Sequence, residues 1–167
     1  PHATCGQPFC DTTMLNNDIL RSVRFILNIS DKRMLAILQH VEPYADDDFA
    51  ALLKKDDEDG FDSCSDELLS AFLDGLIIER RGRRDDAPLP PPALRLNNND
   101  ILKKLRVAFE LKQEDIEALI ARTGFQVSSA EVGALFRKPG HKNYRVCGDQ
   151  FLRYLLKGLA MKHRPDM

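Results

Sequence analysis

Thiols and imidazoles are the groups in this chain best suited to nucleophilic or metal chemistry, and their placement argues against both. The cysteines are Cys5, Cys10, Cys64 and Cys147; the histidines are His2, His40, His141 and His163. A nucleophilic cysteine needs a base within hydrogen-bond reach, and structural zinc needs four ligands. Cys64 and Cys147 occupy corresponding places in an internal repeat, yet no histidine recurs with them: His40 corresponds to Arg122 or Thr123, and His141 to Glu58. A site copied with the fold would have kept its ligands in both copies. His2 with Cys5 and Cys10 lacks a fourth ligand, and the runs Asp46-Asp47-Asp48 and Asp56-Asp57-Glu58-Asp59 lack the alternating oxygen ligands and distal Glu of a calcium loop. They read as solvated faces. No glycine-rich phosphate loop, G-x-S-x-G or H-E-x-x-H occurs. The expectation is therefore no catalytic residue, no cofactor and no metal.

Cations offer better-defined chemistry. Arg80, Arg81, Arg83 and Arg84 form one basic stretch, and Arg137, Lys138, His141, Lys142 and Arg145 another, both suited to the phosphates or carboxylates of a macromolecular partner. The second stretch follows a helix, a short helix ending in Thr123-Gly124-Phe125, and a third helix opened by Ser128, an order found in small DNA-binding bundles. Against base reading, Ser129 to Phe136 carries Glu131 as its single charged side chain, and the turn before it is longer than in the usual motif. Arg80 to Arg84 also have a plain structural role, since cations stabilise a helix C-terminus.

These residues are positioned by a duplication. Asn16-Asn17-Asp18-Ile19-Leu20 returns as Asn98-Asn99-Asp100-Ile101-Leu102, with Arg24 and Ala36 matching Arg106 and Ala118 at the same offset of 82. One residue is then inserted, and Ala51, Leu52, Cys64, Asp66, Leu69, Leu73, Gly75 and Leu76 match Ala134, Leu135, Cys147, Asp149, Leu152, Leu156, Gly158 and Leu159 at an offset of 83. Apolar residues recur at helical spacing throughout. In the first copy helices are expected from about Asn16 to Asn28, from Ser30-Asp31 to before Pro43, after Asp46-Asp47-Asp48, and from Ser65 or Asp66 to Gly82. The second copy repeats the plan, with Asn98 or Asn99 as first cap, Gln113 to Arg122 as second helix, a Ser128/Glu131 capping box before the third, and Asp149 capping the last. Gly75 and Gly158 fall inside the last helices, where glycine costs about 1 kcal/mol against alanine. Close helix approach would offset that, so a tight crossing is expected at each.

The 167 residues are 43% apolar and 30% charged, which with the repeat reads as two small globular units rather than one. Their charges differ: residues 14–79 hold 6 Lys/Arg against 15 Asp/Glu, net −9, and residues 97–164 hold 13 against 7, net +6. No apolar run is long enough to span a membrane. Cys64 and Cys147 read as reduced structural thiols, each in its own copy, which places the protein in a reducing compartment. Residues 1–13 read as an expression remnant or unstructured leader, and Pro88-Leu89-Pro90-Pro91-Pro92 as the heart of a semi-stiff spacer.

The N-N-D-I-L starts, the C-[SG]-D caps, F-L-D-G-L-I-I-x-R-R-G-R-R before a proline run, and L-F-R-K-P-G-H-K-x-Y-R-x-C-G-D-Q-F-L-R resemble the YehS-like family of bacterial proteins from Met14 to about Pro165. The resemblance implies a bacterial, cytoplasmic protein with tandem copies of one domain of unknown function, and no active-site set. The first copy departs from the pattern where Val41-Glu42-Pro43-Tyr44 replaces the glycine turn at Thr123-Gly124-Phe125.

The sequence thus predicts an all-α protein: two tandem helix-turn-helix-like bundles of about four helices, at 14–82 (acidic) and 97–167 (basic), pseudo-two-fold related and joined by a Pro-rich linker at 83–96. The preferred function is a non-enzymatic adaptor or regulator that binds an unidentified protein partner. The alternative is a nucleic-acid-binding regulator acting through the two basic stretches. An enzyme ranks third.

Overall fold

A computed structural model describes residues 14–82, 91 and 93–165. The expected leader, most of the proline run, Arg83 and Arg84 lie outside the described residues. Among those described there are eight α-helices and no strand: α1 (Asn16–Leu27), α2 (Asp31–Leu38), α3 (Asp46–Leu52), α4 (Asp66–Arg81), α5 (Asn98–Ala108), α6 (Gln113–Arg122), α7 (Ser129–Leu135) and α8 (Asp149–His163). The fold is all-α. No described helix is long and apolar enough to cross a membrane.

The chain separates into two compact units, one spanning Met14–Leu96 and the other beginning at Asn97. Four helices build each. In the first unit Ile19, Leu20, Val23, Ile26, Met34, Ile37, Leu38, Phe49, Leu52, Leu69, Phe72, Leu73 and Leu76 are all buried, and in the second Ile101, Leu102, Leu105, Ile116, Leu119, Ile120, Leu152, Leu155, Leu156 and Leu159 are. These are the apolar stripes expected from spacing, closed on themselves within units of this size. Leu20 and Leu102, one repeat apart, are 1% and 0% exposed. Phe151 of α8 is half-buried and lines a surface pocket rather than the core.

The deepest helix contacts pair α2 with α4 and α6 with α8, and the expected tight crossings are there. Gly75 of α4 lies against the backbone carbonyl of Ile37 on α2, and Gly158 of α8 against that of Leu119 on α6. Any side chain would strike the oxygen. The duplication extends to backbone detail, since Asn28 and Glu110, at the repeat offset, both end their helices in the left-handed region at φ 54°. Ile29 N–H donates to Arg24 O and Leu111 N–H to Arg106 O, closing the two helix ends alike.

The expected caps are partly corrected. Ser65 accepts from Leu68 N–H, and Ser128 forms the expected box with Glu131. However, α1 starts after Leu15, whose N–H donates to Asp18 Oδ2, and α5 is capped by Asn97, which accepts from Asp100 N–H. Gly148, not Asp149, is the cap position of α8. Helix α2 ends at Leu38, well before Pro43, in successive turns through Val41. Asn98 and Asn99, expected as caps from their helix-start position, and their counterparts Asn16 and Asn17 commit their amides elsewhere.

Candidate functional site

Asn17 and Asn99 are each 2% exposed and fasten a loop across the start of α1 or α5. The Asn99 amide donates to Leu135 O (3.0 Å) and Arg145 O (2.9 Å), while its oxygen accepts from Cys147 N–H (2.8 Å). Asn17 does the same with Leu52 O (2.8 Å), Asp62 O (2.8 Å) and Cys64 N–H (3.0 Å). Next to them, Asn98 donates to Cys147 O and Asp149, and Asn16 to Cys64 O and Asp66. The segment before α4 and α8 is thus held by a side chain about fifty residues earlier.

The held loop has one backbone plan in both units. Arg145 N–H donates to Ala134 O at 3.1 Å and Asp62 N–H to Ala51 O at 3.1 Å; turns close from His141 to Lys138 and from Glu58 to Lys55, each at 3.0 Å. On this plan the charges diverge, with Lys142 and Arg145 reversed in sign and Arg137 kept as a cation. Where the second unit has Arg137, Lys142 and Arg145, the first has Lys54, Asp59 and Asp62, and Ser129, Ala130 and Glu131 of α7 correspond to Asp46, Asp47 and Asp48 of α3.

In the second unit this loop and α7 enclose an open groove of about 690 Å³ lined by Gln113, Ser129, Glu131, Arg137, Lys142, Tyr144 and Arg145, among others. The structure therefore brings together Arg137, Lys142 and Arg145 from the basic stretch. Lys138 and His141 are exposed on the same loop but do not line the groove; His141 accepts from Asn143 N–H through Nδ1 (3.0 Å). Arg80 and Arg81 end α4 in the first unit, where Arg80 lines a separate cleft with Arg33 and Glu79. Glu79 pairs there with Arg33 and with His40, whose Nε2 lies 2.7 Å away.

A feature that sequence reading missed adjoins the groove. Phe125 and Tyr154 stack with ring centroids 4.7 Å apart and planes at 16°. With Val127, Val146, Phe151 and others they line a pocket of about 220 Å³, to which Glu131 and Arg145 also contribute. Phe125 is 44% and Val146 75% exposed. Tyr154 sits where the first unit has Ala71, and that mismatch at a repeated position was the available signal.

The thiols are free, buried and structural in setting. Cys64 and Cys147 each donate to a neighbouring carbonyl, Ser65 O and Gly148 O, at 3.5 Å. Burial, then Asp66 and Asp62 for Cys64 and Asp149 for Cys147, pushes both up to about 12 from 9.0. At pH 8 the folded state thus holds about a thousandfold less thiolate at these positions than the unfolded chain. Mass-spectrometric mapping of iodoacetamide adducts is expected to leave Cys64 and Cys147 unlabelled until denaturant is added. Because burial penalises the thiolate, these groups leave stability unchanged below pH 9 and lower it as pH rises from 9 towards 12. No group of three or more His, Cys, Asp or Glu suited to a metal occurs among the described residues.

A family model described as "Protein of unknown function (DUF1456)" matches residues 16–82 and again residues 98–164. Over 151 residues the chain is 52% identical to the uncharacterized protein YehS of Escherichia coli (strain K12), covering 89% of this chain and 96% of that relative. No solved structure matches it.

Proposed function

Because this chain belongs to the DUF1456 family, as its repeated motifs suggested, and holds two tandem copies of a domain without an assigned activity, we propose a function from a loop at which the copies differ in charge. The protein acts as a non-enzymatic adaptor or regulator in the cytoplasm, and its second unit receives an anionic macromolecular partner in the groove of Arg137, Lys142 and Arg145. The observation behind this reading is the convergence of three exposed cations on a loop whose first-unit counterpart is acidic. Cations held on a fixed backbone attract a polyanion at lower ordering cost than the same charges on a mobile tail. Two buried, reduced thiols support a reducing compartment.

Retention on a heparin matrix tests the groove. The native chain is expected to be retained at low salt, and the triple charge reversal Arg137→Glu, Lys142→Glu, Arg145→Glu to elute at or near the loading salt, since each lost contact removes a counterion-release term. Equal retention of both proteins would defeat the reading. Loss of retention on reversing Arg80 and Arg81 instead would move the binding face to the first unit.

A further inference from the structure

The cation groove and the aromatic pocket share Arg145 and Glu131 in their linings. They are adjoining parts of one surface. From this juxtaposition we propose that the partner of the groove is a single-stranded nucleic acid, whose phosphates lie along Arg137, Lys142 and Arg145 while one base enters the pocket against the Phe125–Tyr154 stack. The inference rests on the functional reading above and specifies its ligand.

Three observations favour this chemistry. First, a single strand asks for a basic track beside aromatic rings, because every base has a face to stack and a phosphate to neutralise. Here the stacked pair is open to solvent on the Phe125 side, and the pocket of about 220 Å³ has room for a nucleobase. Second, two of the three cations and the ring of Tyr154 have no equivalent in the other unit, where only Arg137 keeps its charge, as Lys54. Arg145 becomes Asp62, Lys142 becomes Asp59 and Tyr154 becomes Ala71, while the Phe125 turn becomes Val41-Glu42-Pro43-Tyr44. Features that vanish jointly from a copied scaffold belong to one site more readily than to two. Third, duplex readout has little to work with, since α7 is seven residues long and offers Glu131 as its one charged side chain. A stacking mode needs no recognition helix. An acidic peptide would find the cations, but no described strand edge is available to pair its backbone.

The chain contains no Trp and three Tyr, of which Tyr144 lines the groove and Tyr154 the pocket, so tyrosine emission reports occupancy of this surface and the Tyr154 variant isolates the stacking part. Fluorescence anisotropy with fluorescein-labelled dT12 and U12, a 12-base-pair duplex and a twelve-residue polyglutamate, all against the full chain, makes the test. Binding to dT12 or U12 is expected to exceed binding to the duplex and polyglutamate, and to quench tyrosine emission. Three phosphate contacts on a single strand predict a slope of about 2 in log Kd against log salt. Phe125→Ala should weaken oligonucleotide binding by about 10-fold and leave heparin retention unchanged. Tyr154→Phe should keep the affinity and lose most of the quenching. Oligonucleotide affinity indifferent to Phe125→Ala, or polyglutamate binding tighter than dT12, would overturn the nucleic-acid assignment while leaving the anionic groove intact. Loss of neither heparin nor oligonucleotide binding on charge reversal would remove the groove itself.

Discussion

Gly158→Ala is expected to destabilise the second unit by about 3 kcal/mol, at the upper end of the usual range for overpacking. The added Cβ would meet the carbonyl oxygen of Leu119 well inside contact distance and its carbonyl carbon at 2.7 Å. Neither atom belongs to a side chain that can rotate aside; relief requires α8 to move off α6, the most extensive contact of the unit. In a unit of about 70 residues such a loss lowers the melting temperature by roughly 12–24 °C. Gly75→Ala should act similarly in the first unit, where the new atom would meet Ile37 O and lie 3.0 Å from its carbon. Gly133→Ala supplies the contrast. It meets only Gln113 side-chain atoms at 3.6 and 3.9 Å, so the helix propensity of alanine should stabilise α7 by up to about 1 kcal/mol. Urea denaturation of the full chain, with hydrogen exchange assigning the affected unit, measures all three. A neutral Gly158→Ala would mean that the crossing tolerates displacement and does not hold the bundle.

The second large effect concerns Asn99. Asn99→Ala would leave Cys147 N–H, Leu135 O and Arg145 O without their partner at a site 2% exposed. Unsatisfied buried groups cost about 1–3 kcal/mol each, and partial access of water to the loop brings the expected total to about 2–4 kcal/mol. Asn99→Asp is the sharper probe, because it keeps the shape and reverses one half of the bonding. Its added oxygen would face two carbonyl oxygens, so the ionised form is penalised and its folded pKa rises above the ordinary 3.9. The sign follows directly. The variant should approach native stability below pH 4, where the carboxyl is protonated and can donate, and lose stability as pH rises through the folded pKa. Stability curves at pH 3.5 and 7 that run parallel for native and Asn99→Asp chains would rule out the amide orientation described.

Much of this architecture was legible from residue spacing. Helix α6 spans the expected Gln113–Arg122, the Ser128 and Glu131 box forms, and the two in-helix glycines sit at close crossings. All of these depend on neighbours within a turn or two, or on a repeat that marks equivalent positions. The asparagines were not legible in this role, because an Asn at a helix start looks like a cap on any local rule. Their actual partners lie 35 to 51 residues away, a distance at which chain pattern is silent, and only the joint recurrence of Asn with Cys hinted at the clamp. The basic stretch was legible as composition but not as geometry. Successive turns direct Arg137, Lys142 and Arg145 to the groove while Lys138 and His141 remain outside its lining. Phe125 and Tyr154 meet through tertiary packing alone.

The Asn17 and Asn99 clamps grip main-chain atoms alone, and so they are blind to the identity of most side chains they carry. Residues 54–62 and 137–145 are therefore interchangeable cartridges on a common mount. Mutation can rewrite the polarity of either one without disturbing the hydrogen bonds that hold it.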